Sequence, residues 1–238
     1  MRKTIIIFVS IVLATLSANS LASGDVEAGQ TKSATCMGCH GLAGNSTIPN
    51  FPKLAGQGEG YILKQLQEFK SGVRENVIMA GVASLLSEQD MMDIAAYYSI
   101  QTISENSAKA DEETIELGRK IYLGGKKDTQ TTACIACHGP KGLGIPSAKF
   151  PALSAQHAEY IASQLKAFRQ YSFNEQTGSD EVDRDNDYEG MMRSVAKGLT
   201  TVEIEALAEY IAGLHLLVHS FGIAVYGHDL TRYFVGFI

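Results

Sequence analysis

Four cysteines occur in the 238-residue chain, and all fall in two copies of one pattern: Cys36-Met37-Gly38-Cys39-His40 and Cys134-Ile135-Ala136-Cys137-His138. Two thiols about one helical turn apart can each form a thioether to a porphyrin vinyl group, and the adjacent histidine then supplies the proximal nitrogen to the iron. The expected cofactors are therefore two covalently attached haem c groups, with Cys36, Cys39, Cys134 and Cys137 as thioether positions and His40 and His138 as iron ligands. A zinc site is the first alternative, since paired cysteines are common zinc half-sites. Cys39 and Cys134, however, are 95 residues apart, and each pair has its own histidine. A thioredoxin-like redox pair is the second, and it needs a βαβ context that the hydrophobic pattern lacks.

The ligand on the other face of each iron decides between electron carriage and catalysis. His40 is the only histidine before the second motif, so ligation by two histidines within the first half is excluded. Among the methionines there, Met37 lies inside the attachment loop and Met91 and Met92 lie in a predicted helix, leaving Met79 in a segment without a strong helical pattern. The second half offers Met191 and Met192, and Met192 precedes Leu199 by seven residues as Met79 precedes Leu86. The expected distal ligands are Met79 and Met192, with Met191 in reserve. Iron saturated by His and Met has no open position for substrate, and the thioether raises its potential, which suits one-electron exchange and not enzymatic chemistry.

The elements that must hold these residues repeat as well. Phe51-Pro52-Lys53-Leu54, Gln57, Tyr61, Gln65-Leu66 and Phe69 are matched at identical spacing by Phe150-Pro151-Ala152-Leu153, Gln156, Tyr160, Gln164-Leu165 and Phe168. Both halves read as helical, giving an all-α fold of two domains. Ser87 with Asp90, and Thr200 with Glu203, have capping-box spacing, and Ile204, Leu207, Ala208 and Ile211 follow at helical period. Ile62, Leu66 and Phe69 form an earlier apolar stripe, mirrored by Ile161, Leu165 and Phe168. The polar run 104–113 contains the expected linker, 105–113, between domains at 23–104 and 114–215.

Lys and Arg number 20 against 26 Asp and Glu, for a formal charge of -6. No basic cluster lies beyond Lys3, which argues against nucleic acid as a partner. Residues 1–22 carry Arg2 and Lys3, an apolar run and a small-residue end at Ala22, as a secretory signal peptide does. Its removal leaves 18 basic residues and a charge of -8. From His to Met is 39 residues in the first half and 54 in the second. The extra 15 fall around Glu175–Glu189, with seven acids and one arginine. Such charge density is expected to form a solvated surface loop lacking the glycine and terminal glutamate of an EF-hand, and it would bias docking toward a basic partner. The tail 216–238 is apolar but too interrupted by charge to span a bilayer. Packing on the domains, peripheral association with a membrane and disorder all fit it. His157, His215, His219 and His228 are expected at the surface or in the tail.

The combination of motifs over Gly24 to His215 resembles the dihaem cytochrome c4 family. The stretch Asn50 to Gln57 with its partner Phe150 to Gln156, Tyr61 to Leu66, Gly190-Met191-Met192-Arg193 and Tyr210 to Leu214 carry the likeness beyond the cysteines. The resemblance implies two tandem cytochrome c-like domains, each wrapped around one haem, in the periplasm or on the outer face of the inner membrane. It implies single-electron carriage in a respiratory chain between a quinol-oxidising complex and a terminal oxidase. The dihaem subunit of a dehydrogenase and a dihaem peroxidase are the alternatives. The same resemblance gives Pro52 and Pro151 the role of accepting the N–H of His40 and His138. It also makes Gly118 and Tyr122 the pair where first and last helices cross. Four residues after Gly29 stands Ser33 instead of an aromatic residue, so the first crossing is expected to pack differently.

Overall fold

The computed structural model describes residues 24–177 and 183–214, so the leader, the middle of the acidic loop and the tail lie outside the described residues. All regular elements among those residues are helical, apart from isolated antiparallel bridges between Lys126 and Thr131 and between Ile145 and Phe150. The first unit runs α1 (Val26–Lys32), α2 (Met37–His40), α3 (Glu59–Ser71), α4 (Val77–Ser84) and α5 (Glu88–Ser99). The second repeats the order as α6 (Glu112–Gly124), α7 (Ile135–His138), α8 (Ala158–Thr177), α9 (Met191–Lys197) and α10 (Thr201–Ala212).

Both expected capping boxes are present, Ser87 with Asp90 at α5 and Thr200 with Glu203 at α10. The predicted stripes face inward: Ile62, Leu66 and Phe69 on α3, Ile161, Leu165 and Phe168 on α8, and Ile204, Leu207, Ala208 and Ile211 on α10 are all buried. Burial of each such large side chain is worth roughly 1.5–3 kcal/mol relative to exposure.

First and last helices of each unit cross at a glycine. A Cβ on Gly29 would lie 1.9 Å from the Asp93 carbonyl oxygen, and one on Gly118 would lie 2.1 Å from that of Ala206, so neither backbone approach tolerates a side chain. Ser33 is buried in the first crossing, and the aromatic ring arrives from the opposite helix. Tyr98 on α5 is fully buried, its ring 5.1 Å from Tyr97 and against Gly44; Tyr122 on α6 is fully buried, its ring 5.4 Å from Tyr210. The Tyr122 hydroxyl donates to the Gly139 carbonyl at 2.7 Å. One ring thus fills the equivalent space in both units but is supplied by α5 in one and by α6 in the other, which is why Ser33 suffices where Tyr122 stands. A lysine also ties each crossing to the acidic start of the last helix: Lys32 pairs with Asp90 and Asp93, and Lys126 with Glu203 at 2.9 Å.

The two units dock through buried polar contacts, which correct two expectations, and a third is corrected within the first unit. His157 is a buried residue and not a surface one: its Nε2–H donates to the Ser46 carbonyl of the first unit at 2.9 Å. The second correction concerns the acidic loop, whose end turns Arg184, Asn186 and Asp187 inward while Asp185 and Glu189 stay exposed. Asn186, 7% exposed, donates to Gln65 at 3.0 Å and Glu68 at 2.6 Å, and its carbonyl accepts from Lys64 at 2.6 Å. Arg184 reaches Gln164 and Gln65 and stacks on Phe168 with its guanidinium carbon 4.4 Å from the ring centre. Arg74 mirrors it, bonding Gln65, Tyr160 and Gln164 and stacking on Phe69 at 4.6 Å. Burial pushes the Tyr61 hydroxyl up, but Arg184, Arg74 and Lys64 outweigh it and hold the group below the usual tyrosine range.

The third correction concerns Met79, which sits on α4 in a regular helical turn. The Asn76 side chain accepts from the Met79 amide at 2.9 Å and caps that helix. Glycine and β-branched residues blur the periodicity of this short segment, and the cap sets its start. Between the units, the chain after Gln101 lacks regular structure until Asp111 caps α6, and it is held on both sides. Lys53 Nζ donates to the Ser104 carbonyl at 2.8 Å, and Glu209 accepts from the Lys109 amide at 2.6 Å.

Candidate haem sites

Each attachment motif folds as a single helical turn. The His40 amide donates to the Cys36 carbonyl and the His138 amide to the Cys134 carbonyl, both at 2.9 Å, so each cysteine pair and its histidine share one short helix. Gly41 and Gly139 end these turns with φ of 75° and 76°, a left-handed region that glycine enters without strain.

The histidines are buried at 8% and 6% exposure, and each Nδ1 lies 2.9 Å from a proline carbonyl, His40 from Pro52 and His138 from Pro151. A carbonyl only accepts, so Nδ1 carries the proton and Nε2 keeps its lone pair for a metal. Burial lowers both pKa values and the proline carbonyls oppose it only in part, so both rings are neutral at neutral pH. The prolines are placed by a paired turn: Leu54 and Ala55 amides donate to the Gly44 carbonyl, and Leu153 and Ser154 amides to that of Gly142. Phe51 and Phe150 stand beside the imidazoles at ring-centre distances of 6.3 and 6.5 Å.

Cys36, Leu54 and Met79 pack at the edge of the first core, and Cys134, Leu153 and Met192 occupy the matching edge of the second. The same three positions of the repeat thus place apolar and sulfur-bearing side chains against each core. Met191 is 41% exposed and is not among the residues packed against that core. The donor set fits a covalently held porphyrin: two thiols and an imidazole with a free Nε2 on one turn, beside an apolar wall that carries a thioether.

Neither alternative for the cysteines finds support. Among the described residues no group of three or more His, Cys, Asp and Glu side chains converges as a metal cluster. None of the four cysteines forms a disulfide. Burial pushes the Cys36 thiol up and the Cys134 thiol up to about 11, opposite to the shift that activates a redox dithiol.

The structure brings each cysteine pair, its histidine and its proline together within one unit, and Met79 and Met192 each pack against the core of the same unit. Sequence reasoning missed the roles of Gln57, Gln156, His157, Arg74 and Arg184 at the junction. Gln57 and Gln156 did carry a signal, as polar residues at one register position of an apolar repeat.

Residues 26–101 and 116–215 each match the family described as cytochrome c. Cytochrome c4 of Stutzerimonas stutzeri is 48% identical over 204 residues, which cover 82% of this chain and 91% of that one. The crystal structure of reduced recombinant cytochrome c4 from Pseudomonas stutzeri superimposes with a TM-score of 0.73 at 46% identity, covering 81% of this chain and all of that one. A thiosulfate dehydrogenase electron acceptor from Stutzerimonas stutzeri (strain A1501) is 36% identical over 75% of this chain and 78% of its own. With its twin attachment turns and these likenesses, the chain belongs to the cytochrome c4 family, an electron-transfer protein of two cytochrome c domains with two covalently bound haem c groups.

Proposed function

We propose that the protein carries single electrons in a periplasmic respiratory chain, from a quinol-oxidising complex toward a terminal oxidase. Residues 1–22 act as the export signal that brings the chain to that compartment. Cys36 and Cys39 form the thioethers of the first haem, and Cys134 and Cys137 those of the second. His40 and His138 would bind the irons through Nε2, and Met79 and Met192 are the residues that would supply the second protein ligand to each. The observation that carries this reading is the pair of neutral, buried imidazoles, each with Nδ1–H committed to a proline carbonyl at 2.9 Å and Nε2 left for iron. When bound, the haem supplies a reversible one-electron iron couple.

The chain's own residues serve that couple by holding still. Pro52 and Pro151 fix the ring planes and make the ligands more electron-rich. The Asn76 cap holds Met79 on α4, and Gly190, with φ of 69°, starts α9 just ahead of Met192. Held in this way, the ligands would move little between oxidation states, and the apolar residues at the edge of each core would help exclude water from the group.

Substitution tests the ligand assignment. Met79→Ala and Met192→Ala should each convert one haem to a high-spin spectrum and lower its potential, leaving the other unchanged. Two unchanged low-spin spectra would mean that other groups are the ligands.

A second reading, as the electron acceptor of a dehydrogenase, is favoured by the likeness to the thiosulfate dehydrogenase electron acceptor. Reduction of the purified protein by quinol-oxidising membranes supports the first reading. Reduction only by a dehydrogenase with its substrate supports the second.

A further inference from the structure

Gln57 and Gln156 occupy equivalent positions of the repeat and exchange places across the junction. Gln156, 3% exposed, accepts from the Lys53 amide at 2.9 Å and donates to the Lys53 carbonyl at 2.9 Å. Gln57, 6% exposed, accepts from the Ala152 amide at 3.1 Å and donates to the Ala152 carbonyl at 2.6 Å. Each amide can lie only one way round, because the backbone N–H needs an acceptor and the carbonyl a donor.

Lys53 and Ala152 directly follow Pro52 and Pro151. The Lys53 N–H therefore belongs to the same peptide group as the Pro52 carbonyl that accepts from His40, and the Ala152 N–H to the same group as the Pro151 carbonyl that accepts from His138. Two continuous chains result. One runs from His40 through the Pro52–Lys53 peptide to Gln156 of the second domain, and the other from His138 through the Pro151–Ala152 peptide to Gln57 of the first. Hydrogen bonds in series polarise one another, and an acceptor on a peptide N–H makes that peptide's oxygen a stronger acceptor.

We propose that Gln57 and Gln156 are crossed positioning residues: each tunes the iron of the domain to which it does not belong, by polarising the peptide that holds the opposite proximal histidine. This rests on the assignment of His40 and His138 as iron ligands. A stronger pull on Nδ1–H makes the imidazole a better donor and favours oxidised iron, so the intact bridge lowers the potential. Docking of the two domains is thereby built into the potential of each haem, and a domain separated from its neighbour would not hold the same value.

The test is a redox titration of the intact dihaem protein with the haems resolved by NMR, alongside the Nδ1–H resonances of both histidines. Gln156→Met, close in size but without an acceptor for the peptide, should raise the potential of the first haem and move the His40 resonance upfield, leaving the second haem nearly in place. Gln57→Met should do the reverse. Gln156→Glu, which keeps an acceptor oxygen against the Lys53 amide, should hold the first potential at its native value or below it. It carries the test in case the methionine variant does not accumulate. Asn106→Ala, which removes a linker bond to the Gln156 carbonyl and touches neither bridging peptide, should leave both potentials unchanged. Shifts in the haem of the substituted domain, equal shifts in both haems, or no shift at all would overturn the proposal. Failure of the underlying assignment would show in the unsubstituted protein, as an absence of hyperfine-shifted histidine protons, and would overturn both together.

Discussion

Met191 and Met192 are neighbours in sequence that packing separates clearly. Met192 lies against the core with Leu153 and Cys134, whereas Met191 is 41% exposed. Met191→Ala is therefore expected to leave both visible spectra and both potentials as they are, in contrast to Met192→Ala; a high-spin haem in Met191→Ala would reverse the assignment. At this scale most of the site was legible in the sequence. The attachment chemistry demands fixed spacing between Cys36, Cys39 and His40, and the proline that orients the histidine is a fixed repeat element. His157 was not legible, because its partner is the carbonyl of Ser46, 111 residues away, and a backbone acceptor leaves no mark on side-chain identity.

The helices that present these residues depend on two crossings with no room for a methyl group. Gly29→Ala and Gly118→Ala each overpack a backbone contact and should cost about 1–3 kcal/mol or more. Each variant should lower the melting transition of its own domain first, as read by calorimetry with the haem bands followed separately; an unchanged transition would show that the helices slide apart freely. Charge reinforces the first crossing. Burial pushes the Asp93 carboxyl up, but the Asp25 amide, Lys32 and Gln89 outweigh it and hold the group below the usual carboxylate range. A carboxylate held down in the folded state stabilises it at neutral pH, and that contribution is lost as pH falls below about 3.9 through the depressed folded value. Asp93→Asn should lower the first domain's melting temperature at pH 7 and flatten its decline toward acid. Hydrophobic period and capping boxes revealed α3, α5, α8 and α10. They did not reveal that Tyr98 does for one crossing what Tyr122 does for the other, since a space filled from the opposite helix leaves no local pattern.

Across the whole molecule the junction is polar, buried and built from long-range pairs, which is why the duplication could be read in the sequence but the docking could not. Arg184 bonds Asn186, Gln164 and Gln65 and covers Phe168, so Arg184→Leu should weaken docking by about 1.5–3 kcal/mol, the range of a charge-assisted hydrogen-bond group. Faster cleavage in the segment 104–110 under limited proteolysis would report it, and an unchanged rate would place the arginine outside the docking energy. His157 adds a pH dependence. Burial lowers its pKa and the Ser46 carbonyl opposes this, with Lys53, Glu159 and Lys109 as the charged groups around it. The docked form thus binds fewer protons than the open one, and docking should loosen as pH falls below about 6.5. His157→Gln should remove that dependence of cleavage.

With the proposed ligands, one chain would hold two saturated His/Met irons and pass electrons without binding substrate. A reductive titration of the purified protein in the presence of cyanide tests it most directly. Two electrons taken up per chain, with both haems low-spin throughout and no rapid cyanide complex on the oxidised protein, is the predicted result. A high-spin fraction in the native protein, or fast cyanide binding to either oxidised haem at neutral pH, would contradict it.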